Sequence, residues 1–223
     1  MNQRFAHGDE EHKRILAEVD ALASQSLDWV APIKFSTAQS EAERVAVYRL
    51  RYNAVIEHGW LPPADLPGGI ERDDYDNIAI HVVGWDGNTL AATSRLILPK
   101  PGLILPTEKA FDILVEPRDQ VVDASRFVVA RPYSSIEHRV LAVLLAKTWL
   151  VMREHGYEMA CAAFASLAML RVYRWMGFHV TVLGPARPYW GEDRYPLLYD
   201  VAEATPSLIA RWDQSQGNMR PAA

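Results

Sequence analysis

The chain has 223 residues, of which 49% are hydrophobic and 23% are charged, and its formal net charge is -5 at pH 7. This acidic balance argues against nucleic-acid binding, and no stretch reaches the roughly 20 apolar residues of a membrane-spanning helix. The single cysteine, Cys161, excludes an internal disulfide and suits a reducing compartment. Because the N-terminus also lacks the apolar core of a signal peptide, we expect a soluble cytoplasmic protein.

Helical spacing and turn residues divide the first half of the chain into short elements. Apolar residues at helical spacing predict an amphipathic N-terminal helix over residues 9–27. Ser40 and Glu43 stand in capping-box spacing and predict a second helix that runs to Gly59. The other predicted elements are a strand at 33–38, a turn-rich loop at 61–69, two strands at 78–85 and 89–98 joined by an Asp-Gly hairpin, and a short helix at 106–114 that opens with Thr107.

The second half of the chain alternates strands with helices. Ser134 and Glu137 are spaced as a capping box and predict a long helix over residues 135–155. Ser166 is expected to be the N-cap of the next helix. The predicted elements are strands at 121–130, 157–165, 178–184 and 195–201, a helix at 167–177 closed by Gly177, and a loosely attached tail at 202–223. A run of strands followed by alternating helices and strands predicts a mixed α/β sheet.

Three arginines lie within apolar sequence. Arg51 shares the inward stripe of its helix with Val47 and Leu50, while Arg95 and Arg126 lie inside apolar strands. An unpaired buried charge costs several kcal/mol. Each of these arginines therefore needs an anionic partner.

The acid-rich stretch ERDDYD at residues 71–76 can supply those partners. We expect Asp73 and Asp76, together with Asp123, to face the three arginines across a cleft. The other charges of the stretch are expected to lie at the surface: Glu71, Arg72 and Asp74. Such a network either shapes a substrate site or only fastens residues 61–77 to the sheet, and both interpretations stay open here.

Four segments, in order, resemble acyltransferases of the GNAT superfamily. They are YRLRYNAVIEHGW, DDYD, TSRL and DASRFVV. They are most similar to the branch that contains acyl-homoserine lactone synthases and N-acyl amino acid synthases, over roughly residues 33–183. The resemblance implies a GNAT-like α/β fold, in which helices flank a mixed, largely antiparallel sheet. It would form a single domain over residues 31–201, between an N-terminal helical appendage at 1–30 and the tail at 202–223.

The resemblance also implies a function. Members of this branch move a fatty acyl group from the phosphopantetheine thioester of an acyl carrier protein to the amine of an amino-acid-like acceptor. We therefore expect an amide-forming acyltransferase that uses acyl-ACP, or else acyl-CoA, and a small amine, with no bound cofactor. S-adenosylmethionine is a substrate only under the alternative of a lactone synthase that makes a quorum-sensing signal. A non-catalytic acyl-carrier or acyl-CoA binding module is an alternative of another class.

Departures from the lactone-synthase pattern favour an N-acyl amino acid synthase. Asp123 stands where lactone synthases have a glutamate, and Val55 lies near the position of an aromatic residue. Residues 97–111 also lack the threonine-rich stretch that usually follows the strand arginine in lactone synthases. Trp60 favours the alternative, because a tryptophan there contacts S-adenosylmethionine in lactone synthases.

The resemblance and simple chemistry assign roles to the candidate site residues. Asp123 is the candidate base, acting through a water because its side chain is one methylene shorter than glutamate. It is equally the candidate partner of Arg126 or Arg95, and a strand bulge would let Asp123 and Arg126 line one site. A backbone N–H near Phe127 or Val128 would polarise the thioester. The predicted substrate-binding residues are Arg51, Trp60, Asp73, Asp76, Arg95, Val128 and Ser166.

The donor side lacks the features of a pyrophosphate site. There is no glycine between Phe127 and Leu150, and the acid Glu137 lies in the first turn of the predicted helix. This favours a carrier-protein donor over coenzyme A. Basic side chains for the acidic carrier are available, although they are also read as scattered surface charges: Arg131, Arg139 and Lys147. The segment MACAAFASLAML could line an acyl tunnel or form ordinary core. His81 and His138 have no second ligand at metal spacing, so no metal is expected.

Overall fold

The secondary structure follows the chain from an N-terminal helix into a sheet covered by helices. A computed structural model describes residues 2–176, 180–189 and 191–200. The helices of these residues are α1 (Asn2–Ser26), α2 (Glu41–Glu57), α3 (Pro106–Phe111), α4 (Glu137–Glu154) and α5 (Leu167–Met176). The strands are β1 (Lys34–Thr37), β2 (Ile80–Asp86), β3 (Thr89–Ile97), β4 (Val121–Val129), β5 (Met159–Ala165), β6 (Val180–Val182), β7 (Arg187–Tyr189) and β8 (Glu192–Asp200). The predicted tail at 202–223 and the helix end at Gly177 lie outside the described residues.

The strands form one mixed sheet in the order β1-β2-β3-β4-β5-β8-β6, with β7 paired to β8. Neighbouring strands are antiparallel except for β4 and β5, which are parallel. This confirms the predicted mixed, largely antiparallel sheet with flanking helices. In the part of the chain that the structure describes, no helix is long and apolar enough to cross a bilayer.

Helices cover both faces of the sheet. Val82 of β2 belongs to the core cluster that α1 and α4 build on one face, whereas its neighbour Val83 packs with α2 residues Val47 and Tyr48. Successive strand residues point to opposite faces, so α2 lies on the face opposite α1 and α4. The N-terminal helix is longer than the predicted span of 9–27 and packs on α4, where Trp149 Nε1 donates to Asp20 at 2.8 Å.

Strand β4 carries a bulge that determines where the site lies. Ser125 pairs with Arg95 and Val128 pairs with Thr93, so Arg126 and Phe127 together oppose one residue of β3. Arg126 has a φ of +57°, an uncommon conformation for a residue with a side chain. The bulge expected in this strand is therefore present.

Two predicted helix starts are wrong. Residues 131–136 form a 3₁₀ turn with Pro132 in its first positions, and α4 begins only at Glu137, without a side-chain cap. The predicted capping box of Ser134 and Glu137 is absent because the turn occupies these residues. Helix α3 begins at Pro106 rather than Thr107, whose polar groups are directed to β4 instead. By contrast, the capping box of Ser40 and Glu43 at the start of α2 is confirmed.

Candidate active site

A cavity of about 350 Å³ lies where β4 and β5 diverge. The two strands are in parallel register only from the pair Val121 and Met159 to the pair Asp123 and Cys161. Beyond this point, β4 residues 124–129 form one wall and the start of α5 forms another. Further polar lining comes from the residues that follow α2 and from the β7–β8 hairpin. These residues are His58, Trp60, Tyr189, Glu192 and Arg194.

Six of the residues predicted for the site line this cavity: Arg51, Trp60, Arg126, Phe127, Val128 and Ser166. Among the described residues, four predicted ones stand outside the lining: Asp73, Asp76, Arg95 and Asp123. Ser166 also caps α5, since its Oγ accepts the N–H of Met169 at 3.3 Å, which confirms its expected capping role. The side chains of 162–165 lie outside the described part of the chain, so the tunnel prediction stays a prediction.

Arg51 is the centre of a buried ion-pair network. Its side chain is 1% exposed and contacts two carboxylates at once. The Nη1 and Nη2 atoms donate to Asp76 at 2.7 and 3.1 Å, and Nε donates to Glu71. This bidentate geometry is the strong form of an arginine–carboxylate pair.

Arg95 and Arg126 complete the network. Arg95 Nη1 donates to Asp73 at 2.7 Å and to Asp76 at 3.3 Å. Arg126 Nε donates to Glu71 at 3.1 and 3.3 Å, and its Nη2 donates to Asp73 at 3.3 Å. Three guanidinium groups thus meet three carboxylates, which makes the network formally neutral.

The prediction that Glu71 is a surface charge is wrong. Glu71 is 2% exposed and its carboxylate lies between Arg51 and Arg126. The loop that carries it is irregular, so neither a helical nor a strand period marks its side chain as buried. The structure confirms that Asp73 and Asp76 pair with the three arginines, but the third acid is Glu71 and not Asp123.

The arginines keep the network acids ionised. Burial alone would raise the pKa of Asp76, but the hydrogen bonds and charge of Arg51, together with Arg95, lower it to about 2. Burial opposes ionisation of Glu71 as well, yet Arg126 and Arg51 hold its pKa below the ordinary value. Burial lowers the pKa of Arg126, but Glu71, followed by Tyr189 and Asp73, raises it above the ordinary value. These acids are therefore poor proton acceptors near neutral pH.

Asp123 has a different environment. Its side chain is fully buried, and Oδ2 accepts the N–H of Thr107 at 2.8 Å and the Thr107 hydroxyl. Its Oδ1 has no hydrogen-bond partner among the described residues. Burial raises the pKa of Asp123 although the Thr107 hydrogen bonds lower it. Asp123 thus has an increased affinity for a proton, and Ser125, two residues further along β4, lines the cavity.

An aromatic and charged cluster of the cavity lining is formed by residues that follow α2 and residues at the start of β8. The Trp60 ring stacks on His58 with centroids 4.5 Å apart, and its Nε1 donates to Glu192 at 3.1 Å. The guanidinium carbon of Arg194 lies 5.1 Å from the Trp60 ring centroid. Trp60 is a predicted site residue, whereas Glu192 and Arg194 are not, because they stand at the start of β8, before the strand of residues 195–201 that the sequence predicts.

Comparison with known proteins supports this description of the fold. The profile of the N-acyl amino acid synthase FeeM family matches residues 46–197. No curated protein matches the chain. Many solved structures share its fold, and three of them illustrate the similarity. TofI in a ternary complex with an inhibitor and MTA has 23% identity and a TM-score of 0.62, covering 81% of this chain and 96% of that one.

The second structure is BjaI with MTA, described as a CoA-dependent acyl-homoserine lactone synthase. It has 20% identity and a TM-score of 0.62, with 78% of this chain and 82% of that chain covered. The third is FeeM, an N-acyl amino acid synthase from uncultured soil microbes, at 17% identity and a TM-score of 0.58, with 80% and 96% covered. At these low identities, the TM-scores establish that the chain shares the GNAT-like fold.

The divergent strands, the bulge and the cavity between them therefore define an acyltransferase of the GNAT fold that makes N-acyl compounds. Since the family profile spans most of the chain, the protein belongs to the N-acyl amino acid synthase FeeM family.

Proposed function

We propose that this protein transfers a fatty acyl chain from a carrier-protein thioester to the α-amine of an amino acid. The amine nitrogen attacks the thioester carbonyl carbon, so a C–N bond forms and the C–S bond breaks. Before the attack, the ammonium group of the acceptor gives one proton to a base. After the attack, the nitrogen loses a second proton, and the leaving thiolate takes up one proton to become the free thiol. The observation that carries this proposal is the FeeM family match over residues that enclose the cavity.

Asp123 is the base in this proposal. The acids Glu71 and Asp76 have lowered pKa values and hold arginines, whereas burial raises the pKa of Asp123. A carboxyl with increased proton affinity is the better general base near neutral pH. Because Asp123 lies outside the lining, the proton would reach it through a water held beside Ser125.

The bulge supports the proposed position of the oxyanion. Phe127 and Val128 follow the bulged residue Arg126 on β4, and all three line the cavity. A backbone N–H at 127 or 128 would stabilise the negative charge that develops on the thioester oxygen. In this proposal the backbone of β4 at residues 127–128 polarises the donor, and Asp123, earlier on the same strand, takes up the proton.

An acyl carrier protein is the donor that the charges favour. Glu137 lines the cavity in the first turn of α4, where a pyrophosphate would normally be attracted by the helix N-terminus. A carboxylate at this place repels the pyrophosphate of coenzyme A more strongly than the phosphopantetheine arm of a carrier, which has a single phosphodiester at its far end. Arg131 is exposed on the turn before α4 and could contact the acidic carrier, whereas Lys147 pairs with Glu154 at 3.6 Å.

The second candidate function is acyl-homoserine lactone synthesis with S-adenosylmethionine as acceptor. In that case the sulfonium would be expected to approach Trp60. Trp60 already stacks on His58 and has the Arg194 guanidinium 5.1 Å from its centroid. A second cation there would compete with Arg194, and this favours a free amino acid as the acceptor.

A product search by mass spectrometry tests the proposal. The purified protein is incubated with medium- and long-chain acyl carrier proteins, the matching acyl-CoAs, the proteinogenic amino acids and S-adenosylmethionine. N-acyl amino acids are the expected products. Acyl-homoserine lactone with methylthioadenosine would establish the second candidate instead. Binding of the donor without any product would show a non-catalytic module and overturn the proposal.

A further inference from the structure

Arg194 is a cation of the cavity lining in addition to the three arginines of the buried network. It lies on β8, it is 9% exposed, and its side chain lines the cavity. Its Nη2 atom is 3.2 Å from the carboxylate of Glu192, whose side chain is 46% exposed. Because Glu192 is partly solvated, another carboxylate can take its place at Arg194 without leaving a buried acid unpaired.

The buried network does not offer such an exchange. Arg51, Arg95 and Arg126 are neutralised by Glu71, Asp73 and Asp76. A ligand carboxylate would have to displace one of these acids and leave it buried without its partner. That displacement is strongly unfavourable.

We infer that Arg194 binds the α-carboxylate of the amino-acid acceptor. The inference rests on the proposed function and deepens it, because it names the acceptor group that is recognised. The planar guanidinium suits bidentate binding of a carboxylate, and the Trp60 ring beside it restricts its orientation. Trp60 is in turn held by the His58 stack and by its hydrogen bond to Glu192. Glu192 competes with the ligand for the same guanidinium.

The test compares an amino acid that wild type acylates with the carboxamide of the same amino acid. Arg194→Gln is expected to raise KM for the amino acid about ten- to a hundred-fold, the usual effect of losing a charge-assisted hydrogen bond. KM for the carboxamide should change by less than about threefold. Arg194→Lys should recover part of the preference for the acid. Arg49→Gln is the matched control, since Arg49 is exposed on α2 and lies outside the cavity lining, and its substitution should leave both values unchanged.

Glu192→Gln provides an independent test that does not depend on the folding of the Arg194 variants. Removing the competing carboxylate should lower the ratio of KM for the amino acid to KM for the carboxamide. Equal losses for both substrates in the Arg194 variants, or no change in any variant, would overturn the inference while wild-type turnover upholds the proposed function. If wild type acylates neither substrate with any donor, the proposed function fails and the inference fails with it.

Discussion

Glu71 joins two arginines that arrive from different elements, Arg51 from α2 and Arg126 from β4. Glu71→Gln keeps the shape of the side chain but leaves two buried guanidinium groups with one anion fewer. We expect the free energy of unfolding to fall by about 3–5 kcal/mol, as when one member of a buried ion pair is removed. Urea denaturation measures this change.

Asp74→Asn is the matched control, because Asp74 is an exposed acid of the same loop. Its substitution should change the free energy of unfolding by less than about 0.5 kcal/mol. A Glu71→Gln variant as stable as this control would contradict the network description.

The second prediction at this scale concerns Asp123. Asp123→Asn removes the proposed base but retains an oxygen that can accept from Thr107. We expect kcat to fall about a hundred-fold or more while the melting temperature is maintained. In wild type the rate should rise with pH, and its acidic limb should lie above the ordinary pKa of aspartate because burial raises the pKa of Asp123. Initial rates across pH measure both effects, and an unchanged kcat would assign Asp123 a structural role only.

At the scale of elements, the bulge in β4 turns Arg126 into the network at a φ of +57°. Arg126→Ala removes the guanidinium that links β4 to Glu71 and Asp73. We expect at least about a tenfold loss of activity and faster amide exchange in residues 61–77, because the loop loses a buried ion pair. Hydrogen exchange with mass spectrometry measures the second effect.

Two further variants separate charge from backbone. Arg126→Gly also removes the guanidinium but tolerates the positive φ, so it should be more stable than Arg126→Ala by about 1 kcal/mol. Arg49→Ala is the control on α2, where Arg49 is exposed. A well-ordered loop at 61–77 and full activity in Arg126→Ala would refute the role given to this residue.

Elements with strong local determinants were predicted from sequence, and those that depend on tertiary contacts were not. The capping box of Ser40 and Glu43 and the hairpin before Thr89 involve only near neighbours, and both are present. Glu71 lies in an irregular segment, and Glu192 and Arg194 lie at the start of β8, where the direction of each side chain depends on partners far away in sequence. The burial of an arginine could be predicted from its helical stripe, but no local rule says which acid will reach it.

At the scale of the whole molecule, the burial of His81 makes the free energy of unfolding depend on pH. His81 is 2% exposed, with Tyr48, Asp76, Arg51 and Arg95 around it. Neither ring nitrogen has a hydrogen-bond partner among the described residues, and Asp76 lies 3.8 Å away. Burial lowers the pKa of His81 to about 4. The negative charge of Asp76 raises this pKa, and the positive charges of nearby arginines lower it further. The folded protein therefore keeps this histidine neutral.

A lowered histidine pKa means that the unfolded chain binds the proton first. The contribution of neutral His81 to stability is fully present above about pH 6.5, the unfolded pKa, and is lost as the pH falls through about 4. The loss is about 3 kcal/mol over this window, and below it Asp76 adds a further loss as its own lowered pKa is approached.

Urea denaturation at a series of pH values should show His81→Leu losing this slope between about pH 6.5 and 4. His138→Leu, which replaces an exposed histidine, should retain it. Parallel pH profiles for wild type and His81→Leu would mean that another group controls the acid sensitivity of the fold.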